Sequence, residues 1–568
     1  MNVLAEISHV VREALAADHP GAEPNVARTQ DPQFGDYQSN AAMPLAKALK
    51  KNPREVAEAL IARLDFKGMA EPATIAGPGF INIRLSNEFL GQFVAQAAND
   101  PRGGVSVVAR PETVVVEFSS PNVAKRLHVG HLRSTIIGDA MNRIFRFLGH
   151  HAISDNHVGD WGTQFGLLIV GWRRWADQDA LDADPIGHLE DLYRRASEAA
   201  KADSAFADEA RAELAKLQAG DPDNLALWKR FVEISRRDVE GIYDMLDVRF
   251  DHWLGESFYD PYLEELAKRL LTMGVAREDQ GASVIFFEGD AALEDKPFII
   301  RKKDGAYLYS TTDLATIEYR MREWRPDRVL YFVDARQALH FKQLFAAARK
   351  MGLSTDGLEH VPFGTILNAE GKPLKTRDGN TPSLRALLQE GVDAAHALVR
   401  TKQPDMAPDQ MRSVARAVGI AAIKYADLSQ NRLTDYKFDL AKMVSFEGDT
   451  GPYLQYTHAR ISSIFRKLDA EWQAPATVSL SHPDEIALAR HMVKFQETLE
   501  KVAEANLPNF LCDYLFGLAK AFSAFYTTCP VLKAEGQTRE SRLALARATQ
   551  HQLAVGLRCL GIEPLETM

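Results

Sequence analysis

The chain has 568 residues, 46% of them hydrophobic and 25% charged, which is globular material for about three or four domains at about 100–200 residues each. Its formal net charge of −10 excludes a general nucleic-acid coat protein, which would be basic overall, but leaves room for one local positive groove. No apolar run approaches the roughly 20 residues of a spanning helix, no secretory signal core opens the chain, and Cys512, Cys529 and Cys559 lack the C-x-x-C spacing of a zinc or redox site, so a cytoplasmic protein with buried cysteines and no membrane partner is expected.

Residues 1–108 predict an α+β domain: amphipathic helices over Leu4–Ala16 and Pro53–Leu64, separated by the polar stretch QDPQFGDYQSN, then a strand over Phe80–Leu85. At Pro111 the pattern changes. Val114, Val115, Val116, Glu117 and Phe118 form a near-continuous apolar run, as in a strand covered on both faces. Leu132–Leu148 has helical spacing and Gly149 suits a C′ position. From about 172 to 297 the chain reads as charged helix, for example Glu190–Glu213 and Trp228–Leu246, inserted into the sheet domain. A hairpin turning at Asp304-Gly305, a helix over Asp313–Arg322, a strand over Val329–Val333, a helix over Gln337–Lys350 and a strand over Val361–Leu367 follow. This alternation predicts a doubly wound α/β domain over 109–400. Residues 401–568 show almost only helical periodicity and predict an all-α bundle.

His128, Val129, Gly130 and His131 therefore fall at a strand-to-helix turn at the carboxyl end of the first strand, where open α/β sheets bind ligands and a helix N-terminus attracts phosphate. Glycine there permits close approach of a nucleobase. Two imidazoles there can donate to phosphate oxygens as charge builds on an α-phosphate under in-line attack. The bland alternative is that both histidines only cap the helix. Context favours the first reading: VEFSSPNVAKRLHVGHLRSTIIGD (116–139) and NHVGDWGTQFG (156–166) closely resemble the signature blocks of the arginyl-tRNA synthetases, a class I aminoacyl-tRNA synthetase family. The resemblance extends over essentially the whole chain.

That resemblance implies a Rossmann-like catalytic domain, an N-terminal tRNA-binding domain and a C-terminal anticodon-binding domain. It implies activation of L-arginine by ATP, with Mg2+, to arginyl adenylate, and transfer to the 2′-hydroxyl of the terminal adenosine of arginine tRNA. A guanidinium is planar and always charged, so its pocket needs carboxylates and neutral acceptors. By resemblance the arginine site comprises Glu117, Ser120, Asn122 and His131 from the first block, Tyr309 and Asp313 from YSTTD, and Gln337. The acidic pair and the tyrosine would face the guanidinium, with Asn122 and Gln337 at the α-amino and carboxylate end. Taken alone, Asp313 could instead be a helix N-cap in Ser310-Thr311-Thr312-Asp313. Glu117 on an apolar strand demands a cationic partner if it is buried.

Class I synthetases usually carry a lysine-rich loop for the leaving pyrophosphate. Here NAEGKPLKTRDGN (368–380) departs from it: one register puts Lys372 and Lys375 on the lysine positions, the other puts Pro373 and Thr376 there. In the family a lysine upstream of the histidine turn substitutes, and Lys125 holds that place; a solvated surface charge is its bland alternative. FGDYQSNAAMPLAK, with Phe34, Tyr37 and Asn40, resembles the family's tRNA-elbow domain. DTGPYLQYTHARISSIFR (449–466) starts with Pro452 suited to a first helical position and resembles the opening of the anticodon-binding domain. Tyr453, Gln455, Tyr456, His458 and Arg460 are its candidate RNA contacts, since aromatic and arginine side chains stack on unpaired bases. A monomer is the family expectation, and nothing in the sequence suggests a structural zinc. Two other readings stay open at this point: a related RNA-binding protein without catalysis, and a nucleotidyltransferase that adenylates another acid.

Overall fold

The computed structural model describes residues 1–368, 370–372, 374, 382–468 and 472–568. The chain forms two compact units: residues 109–444, and residues 1–108 together with 445–568.

Among the described residues of the first of these, a parallel sheet runs in the order Leu358–His360, Arg328–Tyr331, Thr113–Glu117, His151–Asp155. Numbered in chain order, that is 4-3-1-2. The winding therefore reverses between Thr113–Glu117 and Arg328–Tyr331, and such a switch point opens a ligand crevice beyond the carboxyl ends of the strands. Val114, Val115 and Val116 are wholly buried, as a strand covered on both faces requires. Glu117, Asp155 and Tyr331 end their strands at this crevice.

The helix after the first strand runs Val129–Leu148 and stops at Gly149 in the left-handed conformation (φ 97°). It begins three residues before the apolar periodicity does, because His128 and His131 cap it. The insertion is helical as far as Thr272. Beyond that, expectation and structure part: Arg277–Asp279, Ala282–Ile285 and Phe298–Arg301 form an antiparallel sheet, in strands too short to display a period of two. The expected hairpin at Asp304-Gly305 does turn, with Lys302 N donating to Ala306 O at 2.9 Å. Its returning arm is a single bridge, Arg301 to Tyr307, since a helix already starts at Tyr309 and continues to Glu323. The strand expected over Val361–Leu367 is only Ile366–Leu367, paired with Tyr436–Lys437.

The helix Pro408–Leu428, expected in a C-terminal bundle beginning at 401, belongs instead to this unit. Buried polar pairs hold it against the helix Val129–Leu148: Arg133 meets Asp427 at 3.1 Å and Lys424 meets Asp139 at 3.8 Å. Breaking such a buried pair leaves an uncompensated charge costing about 3–5 kcal/mol. Its apolar periodicity resembles that of the later helices, so pattern alone could not divide them.

In the other unit, the antiparallel sheet Val26–Arg28, Tyr37–Ser39, Phe80–Ile83, Thr74–Ala76 packs with helices that include Ala42–Leu49, which the sequence reading missed. The helices Gly451–Arg466, Pro483–Met492, Phe495–Ala505, Asn509–Thr528 and Gly536–Cys559 complete the unit. Buried Glu497 joins the two parts, accepting from Arg28 and, at 3.2 Å, from the Tyr37 hydroxyl. Asp36 pairs with Arg490 at 3.3 Å. All three cysteines are buried. Among the described residues no helix is long and apolar enough to cross a membrane.

Candidate active site

Between the first strand and its helix the backbone is strained. Ser119 (φ 70°), Ser120 (φ 46°) and Ala124 (φ 60°) all adopt the left-handed region, each at a cost of about 1–3 kcal/mol, which persists only where the surroundings over-determine it. They do so here. Ser119 N donates to Ser134 Oγ at 2.9 Å, and its own Oγ accepts from the Tyr243 hydroxyl at 2.6 Å. Ser120 N donates to Asn156 Oδ1 at 3.1 Å, and Asn156 Nδ2 donates to the Tyr243 oxygen at 3.1 Å. Val123 N donates to Gly159 O at 3.1 Å and Gly159 N to Pro121 O at 3.0 Å. A β-carbon on Gly159 would lie 2.2 Å from Asn122 Oδ1. The two signature blocks are thus one stitched structure.

The two histidines do cap the helix, and the capping itself fixes their chemistry. His128 Nδ1 accepts from Gly130 N at 3.1 Å, while His131 Nδ1 accepts from His128 N at 3.1 Å. With Nδ1 spent as an acceptor, a neutral His128 ring carries its proton on Nε2, which is left to donate, whereas His131 Nδ1 also lies 3.3 Å from His128 O. Burial pulls His131 down to about 4, and His128 and Lys125 push the same way against the backbone bond to His128. Burial, then Lys125 and Arg336, lowers His128 too. At neutral pH both rings are therefore uncharged donors at a helix N-terminus. Gly130 serves this arrangement directly, because a β-carbon there would lie 2.8 Å from the His128 ring.

Glu117 is buried, and its cationic partner is not an open position for a ligand but Arg320 of the same chain. Arg320 is fully buried, and its Nη2 lies 2.6 Å from Glu117 Oε2 and 2.7 Å from Asp155 Oδ2. The cationic partner that a buried Glu117 requires is thus present within the chain. Burial opposes the Arg320 charge, but Glu117, Tyr331 and Asp155 hold its pKa well above the usual value. Asp313 is no cap either: the helix starts at Tyr309, so Asp313 lies inside it, one turn from Tyr309 on the same face. Its Oδ2 meets His340 Nε2 at 2.6 Å, and its Oδ1 lies 3.8 Å from His157 Nε2. Buried His157 is pulled down by desolvation but raised on balance by Glu117 and Asp313, which places both carboxylates around one imidazole. Burial pushes Glu256 up to about 7, opposed by His157 and aided by Asp313 and Asp160. Tyr309 is 59% exposed beside this cluster.

Gln337 is exposed at the end of a short turn, Ala335–Gln337, next to Arg336. Asn122 is exposed as well. Ser120 Oγ is buried with no hydrogen-bond partner among the described residues. Lys125 is exposed, its ammonium 5.5 Å from the Tyr193 ring centre. Lys372 is exposed in a turn closed by Asn368, whose side chain accepts from Lys372 N at 2.9 Å. Lys375, Pro373 and Thr376 lie outside the described residues. Just beyond them the chain is fastened to the histidine turn, Val129 N donating to Pro382 O at 3.1 Å and Leu384 N to Leu127 O at 2.9 Å. Sequence reasoning missed His157, Glu256, Arg320 and His340: the helices that carry Glu256, Arg320 and His340 hold other charged side chains, so no local signal marks them.

In the other unit, Phe34 is 39% exposed and lines a cavity of about 570 Å³ with Arg28, Gln30, Asp31, Gln38 and Phe80. Asn40 is exposed. Tyr37, expected beside them, is fully buried with its hydroxyl on Glu497. Tyr456 is 45% exposed, Tyr453 shares a contact with Ser523 at 3.4 Å, and Arg460 lies 4.5 Å from the Tyr526 ring centre. Gln455 and His458, expected on the open face, are buried: they bind the carbonyls of Glu563 and Leu565 at 2.8 and 2.9 Å. The C-terminal tail has acceptors that no helix satisfies, and these side chains supply the partners. The N-cap Thr450 and Gly451 precede Pro452, which stands second in its helix rather than first.

Known proteins resemble this arrangement throughout. The family model for the catalytic domain of class I (R) tRNA synthetases matches residues 97–440, the DALR anticodon binding domain matches 454–568, and the arginyl-tRNA synthetase N-terminal domain matches 1–85. The arginine–tRNA ligases of Chromobacterium violaceum and Salmonella enteritidis are each 46% identical to the chain, with complete coverage of both partners. Among solved structures, arginyl-tRNA synthetase from Thermus thermophilus superposes with a TM-score of 0.84 at 27% identity over all of both chains. The Plasmodium falciparum enzyme gives 0.84 at 28% identity, covering 100% of this chain and 99% of the other.

Proposed function

The chain belongs to the arginine–tRNA ligases, ATP-using class I aminoacyl-tRNA synthetases, and from that premise we propose how its residues divide the reaction. The α-carboxylate of L-arginine attacks the α-phosphate of MgATP, pyrophosphate departs, and the adenylate passes its arginyl group to the 2′-hydroxyl of the terminal adenosine of arginine tRNA. His128 and His131 donate from Nε2 to the phosphate oxygens, where charge grows in the transition state. Neutral rings suit this task, because they hold the donor in place without an electrostatic cost in the empty site. Asp313 and Tyr309 receive the guanidinium, with Glu117 set behind them by Arg320. Ser120, Asn122 and Gln337 take the α-amino and carboxylate end.

The observation that carries this reading is the carboxylate cluster at the switch point. Asp313 Oδ1 lies 3.8 Å from His157 Nε2, with Glu256 acting on the same imidazole and Glu117 held behind it by Arg320, and partly desolvated carboxylates so gathered form a receptor for a permanent cation. In the other unit, the cavity beside Phe34 and the exposed Tyr456 and Arg460 offer stacking surfaces for unpaired bases. A monomer, as the family resemblance implies, working in the cytoplasm where translation runs, completes this reading. Arginine-dependent ATP–pyrophosphate exchange, measured with and without arginine tRNA, tests the whole. Exchange that requires arginine is expected; none under either condition, or robust exchange driven by another acid, would overturn it.

Lys125 supplies positive charge beside both histidines, in a sequence whose lysine-rich loop is degenerate. In the same assay Lys125→Gln should lower adenylate formation by about 10–100-fold, as expected for one electrostatic contact to a transferring phosphoryl group, while the Kd for arginine stays within about twofold. Equal loss in both quantities would return Lys125 to the role of a surface charge.

A further inference from the structure

His340 follows Gln337 by one helical turn and is 12% exposed in its side chain. Its ring is walled by aromatic neighbours: Tyr309 at 5.0 Å, Phe298 at 5.8 Å and Phe341 at 5.6 Å between centres. So confined, it sets Nε2 2.6 Å from Asp313 Oδ2. A carboxylate only accepts, so the proton of this bond is on Nε2. The other oxygen, Oδ1, has its nearest imidazole, His157, at 3.8 Å, beyond hydrogen-bonding distance. The two oxygens of one carboxylate are therefore unequal. One is engaged by the protein, and the other is open.

We propose that His340 is a positioning residue for arginine recognition: it holds Asp313 through Oδ2 so that Oδ1 faces the substrate guanidinium. This rests on the reading above in which Asp313 is the guanidinium receptor. An Asp side chain rotates about two bonds, and the Asp313 carboxylate is partly exposed, at 25%. Without a partner on Oδ2 it would sample rotamers that turn its charge away from the ligand. A fixed carboxylate spares the complex that ordering cost, which is how a rigid neighbour raises affinity without touching the ligand. With one lone pair of Oδ2 already engaged by His340, Oδ1 is the less committed acceptor for the fork of the guanidinium. The Tyr309 oxygen and Glu256, in the same cluster, are further acceptors for the second arm of the fork.

The test uses the full-length enzyme and four single variants. Glutamine at 340 can bring its amide nitrogen to the place of Nε2, whereas asparagine reaches only the place of Nδ1. His340→Ala should raise the KM for arginine by about 10-fold or more, the loss expected when a hydrogen bond to a charged group is removed. The kcat at saturating arginine and the KM for ATP should move less than about threefold. His340→Gln should recover most of the affinity and His340→Asn should not. A purely structural role for the ring would make Gln and Asn equivalent, and that result would overturn the proposal. So would an unchanged or lowered KM in His340→Ala, the latter meaning that arginine displaces His340 from Asp313. Should the alanine variant unfold, the Gln and Asn comparison carries the test alone. Asp313→Asn is assayed alongside: if it leaves arginine use intact, the receptor assignment itself fails, whatever His340 does. In the Asp313→Asn background the His340→Ala effect should also shrink, since the two residues act through one contact.

Discussion

Asp313→Ala will lower kcat/KM for arginine by about 100–1,000-fold or more, while leaving the fold intact. The magnitude follows from removing one partner of a desolvated charge pair, which costs on the order of 3–5 kcal/mol at about 1.4 kcal/mol per factor of ten. Asp313 lies at 25% side-chain exposure between two imidazoles, so the guanidinium that meets it is largely removed from water. Little else can replace it, because Glu117 is already committed to Arg320. The fold should survive, since the helix that carries Asp313 is packed through Leu314, Ala315 and Ile317. The decisive measurement is the specificity constant for arginine in aminoacylation, with unfolding followed in parallel. Near-normal efficiency in a folded variant would remove Asp313 from the site.

His131→Ala will reduce arginine-dependent ATP–pyrophosphate exchange by about 100–1,000-fold, the loss typical of one preorganised donor to a developing oxyanion. The same substitution removes half of the helix cap, which costs about 1 kcal/mol of stability, so both quantities need measuring. An effect on exchange no larger than the stability change would reduce His131 to a capping role. The pH dependence separates the two roles further. Burial holds the His131 pKa at about 4 in the folded protein, against about 6.5 unfolded. Between these values the unfolded chain binds a proton that the folded chain does not, so the contribution of His131 to stability is full above about pH 6.5 and falls as pH drops toward 4. Over that window the wild-type protein should lose stability more steeply than His131→Ala. Any acid limb of the exchange reaction lying above pH 5 should survive in the variant, because His131 is not the group that titrates there.

The contrast between the histidines and the carboxylates shows what each level of information contains. The turn at His128–His131 was legible because its chemistry is local. The glycine, the two caps and the start of the helix lie within four consecutive residues, and the strand before them is marked by three adjacent valines. Gly149 closing the helix belongs to the same class. Asp313 and Tyr309 entered as site candidates only through resemblance, and local reasoning about the cap pointed the wrong way: Ser310-Thr311-Thr312-Asp313 looks like a cap, yet Leu308 occupies that position with no side-chain bond.

What no local pattern could supply was the partner of each buried charge. Glu117 demands a cation wherever it is buried, but that the cation is Arg320, 203 positions away, depends on how the helix Tyr309–Glu323 crosses the sheet. His340, His157 and Glu256 come from three further segments, each unremarkable on its own. Tyr37 and Gln455 went astray for the same reason. Their spacing is compatible with an exposed face, and only packing against Glu497 and against the tail carbonyl of Glu563 turned them inward. Side-chain periodicity and turn preferences act over a few residues and can be read from the order of the chain. Desolvation and ion pairing act through space, and they take their values only when the folded chain has decided which elements meet.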